Sequence, residues 1–205
     1  LTKDDQLKQN LDYAVNELAY VQSLDDSGYV SGFTRSYFDK VFTGDFEVEN
    51  FSLAGGWVPW YSIHKIYAGL IDVYNLTGNQ KALEVVTMLA DWAKKGTDNL
   101  NEEQFQRMLI CEHGGMNEAM ADLYLITKNE DYLKLAIRFC HHSILNPLAR
   151  GVDELEGKHA NTQIPKVIGA AKLYEITGNE DYKKMAVFFW NEVTKNRSYI
   201  IGGNS

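Results

Sequence analysis

The sequence predicts an all-α fold built from helical hairpins, arranged as part of an (α/α)6 barrel or toroid. The main observation is an internal repeat, in which three segments align at a constant spacing and carry Tyr, Thr and Asn at matching positions. These residues are Tyr74, Thr77 and Asn79; Tyr124, Thr127 and Asn129; and Tyr174, Thr177 and Asn179. Apolar residues in each segment recur at helical spacing, and three prolines in the whole chain leave room for long helices.

Composition and charge narrow the functional classes. The chain has 205 residues, 45% of them hydrophobic and 12% aromatic, which is typical of one domain with a packed core. The formal net charge is -8 and basic residues are not clustered, which argues against nucleic-acid binding. No apolar run approaches the roughly 18 residues of a membrane span, and the charged opening LTKDDQLKQN does not resemble a signal peptide. We expect a soluble protein; because residue 1 is Leu, cytoplasmic and exported locations both stay open.

The first predicted element is an amphipathic helix that ends near Leu24. Its apolar positions are Leu7, Leu11, Ala14, Val15, Leu18 and Val21. A segment from Asp25 to Trp60 follows, rich in glycine and aromatic residues, and is predicted to be non-helical. Such long connections are usually functional or disordered, and this one has too many aromatic residues for disorder. We expect it to fold over one end of the helices.

Each repeat unit is predicted to be a helical hairpin. Apolar stripes mark the first helices: Ile63, Ile66, Tyr67, Leu70, Ile71 and Tyr74; Met116, Ala119, Met120, Leu123 and Tyr124; and Ile164, Val167, Ile168 and Ala171. Gly78 and Gly178 stand where two of these helices end, which suits a left-handed backbone. Lys128 replaces the glycine in unit two, at a cost on the order of 1 kcal/mol. The Asn residues of the repeat would then cap the second helices.

Connection lengths favour a closed toroid over an open solenoid. The connections are short within hairpins and long between them, and an α/α barrel places its long connections at one rim, beside the active site. The pattern gives about seven helices, whereas a barrel of six hairpins needs about twelve. We therefore expect residues 1–205 to be a single domain that forms the central part of a larger barrel.

Three histidines occupy matching positions in the repeat. His64, His113 and His159 lie at or just before the start of the first helix of their units. Since equivalent positions in a repeat occupy equivalent positions in space, we expect the three imidazoles to gather at one rim. His141 and His142 fall on the predicted second helix of unit two and do not follow this pattern.

The side chains around these histidines are mostly uncharged hydrogen-bonding groups. Asn161 and Gln163 follow His159, and such groups suit a sugar, whose hydroxyls both donate and accept. Trp57 and Trp60 are candidates either to cover an apolar sugar face or to pack in the core. A metal site is the alternative, because imidazoles are common ligands, but no HxH or HExxH spacing occurs and carboxylates are few.

Glu112 and Glu118 are the carboxylates nearest this rim. A glycosidase requires two carboxyl groups, or a carboxyl group and another nucleophile, on either side of the scissile bond. We expect Glu118 to contact sugar hydroxyls or to cap backbone amides near the helix start, and we assign no catalytic residue in this chain.

Four stretches of the chain carry a family resemblance. GGWVPWYSIHKIYAGLIDVY, ICEHGGMNEAMADLY, GKHANTQIPKVIGAAKLYEITG and RSYIIGGNS resemble, in this order, the β-L-arabinofuranosidases of glycoside hydrolase family 127 and the related family 146. The resemblance covers the chain from about Leu7 onward. It implies an (α/α)6 catalytic barrel followed by β-sandwich domains, and retaining hydrolysis of terminal β-L-arabinofuranosides by a zinc-bound cysteine thiolate with a glutamate as acid/base.

Only part of the family's site maps onto this chain. The resemblance makes His64, His113 and His159 substrate-pocket residues. It places the acid/base glutamate and the zinc-binding Glu and Cys residues after Ser205. We therefore expect zinc to bind in a longer protein, and we expect no metal ligand among residues 1–205. Cys111 and Cys140 do not match the family's thiolate motif.

The expected function is therefore part of a glycoside hydrolase. The predicted substrate-binding residues are His64, His113, His159, Trp60, Asn161, Gln163 and Glu118, and the predicted partner is a terminal L-arabinofuranoside or a related plant glycan. We expect the longer protein to be an enzyme and this chain alone to be inactive, and apolar faces at its two ends would favour association into a homo-oligomer. Two alternatives are a non-catalytic helical-repeat scaffold that binds protein and an α/α-barrel sugar epimerase or lyase, in which histidine acts as acid and base.

Overall fold

The computed structural model describes residues 4–203 and confirms the all-α prediction. Ten α-helices lie in that range: α1 (Asp5–Gln22), α2 (Ser36–Phe42), α3 (Pro59–Thr77), α4 (Gln80–Thr97), α5 (Glu102–Met108), α6 (Met116–Thr127), α7 (Glu130–Arg138), α8 (His142–Ala149), α9 (Ala160–Thr177) and α10 (Glu180–Asn191). A π-helical turn, Glu192–Arg197, continues α10. Three two-residue strands form a small antiparallel sheet: β1 (Val48–Glu49), β2 (Ser52–Leu53) and β3 (Gly56–Trp57). None of the helices within residues 4–203 has the length and apolar character to cross a membrane.

The helices form two layers. The first helices of the three hairpins lie side by side, with α6 between α3 and α9, and each packs against the second helix of its own hairpin. The second layer contains α1, α4, α7, α8 and α10. All three first helices begin at the same end of the molecule, which we call the rim.

The hairpin tips repeat as predicted. Gly78, Lys128 and Gly178 have left-handed backbone, with φ of 71°, 59° and 68°. Each donates its backbone N–H to the carbonyl of the Tyr four residues earlier, at 2.8 Å. The side chains of Asn79, Asn129 and Asn179 then accept from the first turn of the following helix. Lys128 thus adopts a conformation that glycine tolerates without steric cost.

The segment from Asp25 to Trp60 covers the rim, as predicted, but it is not free of regular structure. It contains α2 and the three-stranded sheet, and α3 begins at Pro59. The α2 helix forms because it packs Phe38 and Val41 completely into the core. Phe42 lies so close to Gly96 that a Cβ atom there would approach its ring to 2.1 Å. Tertiary packing therefore holds a helix of seven residues that local sequence alone would leave marginal.

Aromatic side chains fill the core beneath this cover. The ring centroids of Phe38 lie 4.8 Å from those of Trp60 and 5.0 Å from those of Trp92. Phe139 meets Trp60 at 5.2 Å and Phe105 at 5.1 Å, both edge to face. This cluster joins the rim cover to units one and two.

The second helix of unit two is interrupted, which the sequence pattern did not predict. The chain breaks between α7 and α8, where the Phe139 ring turns into the core. The side chain of Gln106 satisfies the freed backbone groups: its Nε2 donates to the Cys140 carbonyl at 3.1 Å, and its Oε1 accepts from the His142 N–H at 2.9 Å. The break moves His141 from a helix interior to the start of α8.

The buried face of α9 differs from the predicted stripe. Val167 is buried, but Ile168 is 46% exposed, and Thr162, Gln163 and Lys166 are buried instead. The reason is that α9 packs against α6, α8 and α10 at once, so its inward surface is wider than a single apolar stripe. Close contact with α6 at Gly169 adds to this, since a Cβ atom there would lie 2.2 Å from the Asn117 side chain.

The predicted apolar stripe of α1 is only partly buried. Val15 is buried against α4, whereas Leu7 and Val21 are exposed. The apolar side chains of α1 and α3 border an open groove of about 650 Å³, lined by Leu7, Leu11, Val73 and Leu76 among others.

Candidate functional site

A polar pocket of about 440 Å³ lies at the rim, between the starts of α8 and α9 and the loop before α6. Its volume is in the range of small-molecule sites. The lining residues are Asn50, Phe51, Ile110, Glu112, His141, Ser143, Ile144, Gly157, Lys158, His159, Thr162, Gln163 and Lys166. The pocket is therefore lined by neutral hydrogen-bonding groups together with two lysines and one carboxylate.

Lys166 is the central polar group of the pocket wall. Its side chain comes from the second turn of α9 and is 2% exposed. The ammonium Nζ lies 3.0 Å from His141 Nδ1 and donates to Gln163 Oε1 at 3.1 Å. Since an ammonium has three donors, these two bonds leave one N–H for a ligand in the pocket.

When Lys166 is charged, its contact with His141 determines the tautomer of that ring. An ammonium only donates, so His141 Nδ1 accepts and the proton of the neutral ring sits on Nε2. His141 Nε2 lies 2.8 Å from Ser143 Oγ, which accepts that proton. The result is an ordered chain of hydrogen bonds from Ser143 through His141 and Lys166 to Gln163.

Burial changes the protonation of both basic groups. Burial lowers the pKa of Lys166 from 10.5 to about 7, and the nearby Glu112 carboxylate opposes that shift. Burial, followed by the positive charge of Lys166, lowers the pKa of His141 to about 3. Near neutral pH, His141 is therefore uncharged while Lys166 titrates.

Glu112 supplies the carboxylate of the pocket. It is buried, and it accepts a hydrogen bond from the Thr162 hydroxyl at the start of α9. Its backbone N–H donates to the Asn50 carbonyl at 2.9 Å, which ties the β1–β2 turn to the pocket. Glu112 can accept a hydrogen bond from a ligand hydroxyl, and Lys166 can donate one to a hydroxyl oxygen.

The structure brings only two of the predicted site residues into this pocket. His159 and Gln163 line it, and His159 is also the first residue before α9. Of the three repeat histidines only His159 lines this pocket, because each histidine falls at a different position relative to the start of its helix. His64 lies inside the first turns of α3, and His113 sits in the buried loop before α6.

His113 and His64 each keep one buried ring nitrogen without a hydrogen-bond partner among the described residues. His113 Nδ1–H donates to the Cys111 carbonyl at 3.1 Å, while Nε2 is unpaired. Its ring lies 5.7 Å from that of His141, so it supports the pocket from behind. In His64 the unpaired atom is Nδ1, which faces Gly114. Burial lowers the pKa of both rings, that of His64 to about 4.

The other predicted residues lie away from the pocket. Trp60 is 1% exposed in the aromatic core and donates its indole N–H to Met108 Sδ at 3.1 Å. Asn161 points toward α3 and donates to the Tyr61 hydroxyl at 3.4 Å. Glu118 is half-buried on α6, where burial and then the Asp122 carboxylate raise its pKa.

His141 and Lys166 were missed by the sequence reasoning. The position of His141 depends on the break between α7 and α8, for which the sequence shows no glycine or proline. Lys166 did leave a signal, since it lies on α9 three residues after Gln163 and one before Val167, on the side that packs inward.

Comparison with known proteins identifies the family. A family model described as the catalytic domain of GH127 β-L-arabinofuranosidases matches residues 1–205. The chain belongs to this family. The fold agrees with the crystal structure of a GH127 β-L-arabinofuranosidase from Geobacillus stearothermophilus T6, with a TM-score of 0.67 and 18% sequence identity. That match covers 100% of this chain and 34% of the other, so the chain spans about a third of its structural relative. No curated protein sequence gives a significant match.

The zinc chemistry that the family resemblance implies does not fit the residues described for this GH127 chain. Within residues 4–203, no group of three or more His, Cys, Asp and Glu side chains is placed to hold a metal ion. Cys111 and Cys140 are buried free thiols, and burial raises the pKa of each to about 12. Since a zinc ligand or a nucleophile must be a thiolate, neither suits either role.

Proposed function

We propose that this chain forms part of a retaining β-L-arabinofuranosidase and supplies one wall of its sugar-binding site. Membership of the GH127 family supports the reaction class. The observation that carries the binding role is the rim pocket, in which Lys166 and Gln163 present donors opposite the anchored Glu112 acceptor. Sugar hydroxyls use both kinds of group.

The proposal assigns binding residues and no catalytic residue. His159, Gln163, Lys166 and Glu112 contact the sugar, and His141 acts through Lys166. The acid/base glutamate and the zinc-bound thiolate are proposed to lie outside residues 1–205. His64 and Glu118 lie next to each other at Gly115, since a Cβ atom there would lie 3.0 Å from the His64 ring and 3.4 Å from Glu118, and they would meet the substrate from another direction.

The test is hydrolysis of an aryl β-L-arabinofuranoside by the full-length gene product. We expect release of the sugar with its β configuration retained, which proton NMR of the first product detects. Replacing His159 with Ala should lower kcat/KM roughly 10-fold through the loss of one hydrogen bond to substrate. His142→Ala is the matched control, because His142 is exposed and does not line the pocket.

Other products would change the assignment. An unsaturated or epimerised sugar would indicate a lyase or epimerase, with Lys166 as the proton acceptor, since its pKa of about 7 suits general-base chemistry. Equal activity of His159→Ala and wild type would remove His159 from the substrate site.

A further inference from the structure

Two aromatic side chains form an exposed stack beside the rim pocket. The rings of Phe51 and Trp57 are nearly parallel, with an interplanar angle of 16° and centroids 5.7 Å apart. Phe51 is 40% exposed and Trp57 is 67% exposed. Because Phe51 covers one face of the indole, most of that exposure belongs to the opposite face and the ring edge. Large apolar surfaces of this kind are usually buried or used for binding.

The small sheet fixes this stack in place. Phe51 lies in the turn between β1 and β2, and Trp57 lies in β3, paired with Ser52. The Val58 N–H donates to the Phe51 carbonyl at 3.1 Å and closes the two segments together. The outward direction of Trp57 therefore follows from the hydrogen bonding of the sheet.

The backbone at Val58 supports a functional reason for this arrangement. Val58 has left-handed backbone with φ of 39°, which is unfavourable for a β-branched residue. The turn sends Trp57 to the surface while Trp60, three residues later, enters the core. Strained residues of this kind persist where surrounding structure holds them, and they cluster at binding sites.

The stack is continuous with the pocket. Phe51 and its neighbour Asn50 belong to the pocket lining, and the Asn50 carbonyl holds the loop that carries Glu112. A ligand whose terminal ring enters the pocket would therefore place its next ring beside the Phe51–Trp57 stack.

We propose that Phe51 and Trp57 form a second sugar-binding surface, which holds the sugar ring to which the terminal arabinofuranose is attached. This inference rests on the proposed function and specifies its substrate class: an oligosaccharide, in preference to an arabinofuranoside of a small alcohol. One face of a sugar ring consists of C–H groups, which gain by covering the exposed indole. Polar hydroxyls at the ring edge stay in water or reach Asn50.

The experiment compares two substrates that share a terminal sugar. In the full-length gene product, kcat/KM is measured for a β-linked L-arabinofuranose disaccharide and for methyl β-L-arabinofuranoside. Trp57→Ala should lower the value for the disaccharide roughly 10-fold or more, the usual effect of removing a tryptophan that anchors a ligand. The value for the methyl glycoside should stay within about twofold, and Trp57→Phe should recover much of the disaccharide activity.

Trp190→Ala is the matched control. Trp190 is 68% exposed on α10 and does not line the pocket, so its removal should change neither substrate. Equal losses for both substrates in Trp57→Ala, or no loss for either, would overturn the second surface while leaving the proposed function intact. Wild-type protein that cleaves neither substrate would overturn the proposed function itself. Disaccharide binding that still depends on Trp57, measured by titration calorimetry, would in that case support the surface.

Discussion

The Lys166 side chain affects both the stability of the fold and the binding of a ligand in the pocket. A buried ammonium costs solvation free energy, and here the compensation comes from His141, Gln163 and the carboxylate of Glu112. The titratable groups facing it are Glu112, Lys158, Cys111 and the rings of His141 and His113, both of which burial keeps uncharged near neutral pH. At neutral pH the Lys166 amine is therefore partly protonated, and a ligand in the pocket could accept a hydrogen bond from it.

Replacement of Lys166 by Met is expected to change how stability depends on pH. The pKa of Lys166 falls from 10.5 in the unfolded chain to about 7 in the folded protein. Between these values the unfolded state binds more protons, so this group makes wild type more stable as pH rises from 7 to 10. The Met variant should lose that rise, which is on the order of a few kcal/mol, in urea unfolding at pH 6, 8 and 10.

Lys81→Met is the control for this measurement, because Lys81 is exposed on α4 and should leave the slope unchanged. Parallel curves for wild type and Lys166→Met would contradict the buried ammonium.

The sequence predicted two of the residues that line the pocket. His159 and Gln163 were found from the repeat and from the uncharged character of the stretch around them. His141 was set aside because it falls on the predicted second helix of unit two. Its actual position depends on how Gln106 caps an interruption between helices, a contact between residues far apart in sequence. Local patterns do not contain such information.

Among the elements, the hairpin tips are the best determined by sequence. Each combines a left-handed residue with an Asn cap, and both signals are local. The elements of the rim cover are the least determined. The α2 helix owes its conformation to packing against α4 and the aromatic core, and each of the three strands has only two residues, so sequence periodicity did not reveal them.

Lys128→Gly should stabilise the protein by about 1 kcal/mol. Lys128 has φ of 59°, which costs roughly that much for a residue with a Cβ atom. Loss of its contact with the Tyr124 ring, 5.8 Å away, reduces the gain slightly. A rise in Tm of about 2–4 °C is expected from calorimetry.

The reciprocal change provides the control for this tip. Gly178→Lys places a Cβ atom in open space at the equivalent position of unit three, so it tests backbone strain without a steric clash. It should lower Tm by a similar amount. If neither Lys128→Gly nor Gly178→Lys changed Tm, backbone strain at the hairpin tips would be refuted.

At the scale of the whole molecule, buried neutral histidines should make the fold sensitive to acid. Burial lowers the pKa of His64 to about 4 and that of His141 to about 3, from 6.5 in the unfolded chain. Between pH 6.5 and 4 the unfolded state binds more protons, so stability falls as pH decreases through this window. Urea midpoints measured at pH 7 and pH 5 should therefore differ in wild type.

His64→Gln isolates one of these contributions. It should reduce the difference between the two pH values by on the order of 1 kcal/mol, because each pKa unit corresponds to about 1.4 kcal/mol. An unchanged difference would mean that His64 is already hydrated or protonated in the folded state.

The overall architecture was predictable because it is repetitive. Three copies of one hairpin supply the same information three times, and the whole-chain match to the GH127 family agrees with the fold that follows. The arrangement of side chains at the rim was less predictable, since each connection there differs from the others in length and composition.

The hairpin tips also offer practical access to the molecule. The α6 helix has 12 residues, which separates its tip at Lys128 from the rim by roughly 18 Å. A fluorophore or an immobilising linker attached at position 128, on a Cys introduced there, would stand well clear of arriving saccharides. Both native thiols are buried, so a mild maleimide reaction should label that one position. A label at a hairpin tip would thus report on binding at the rim without blocking it.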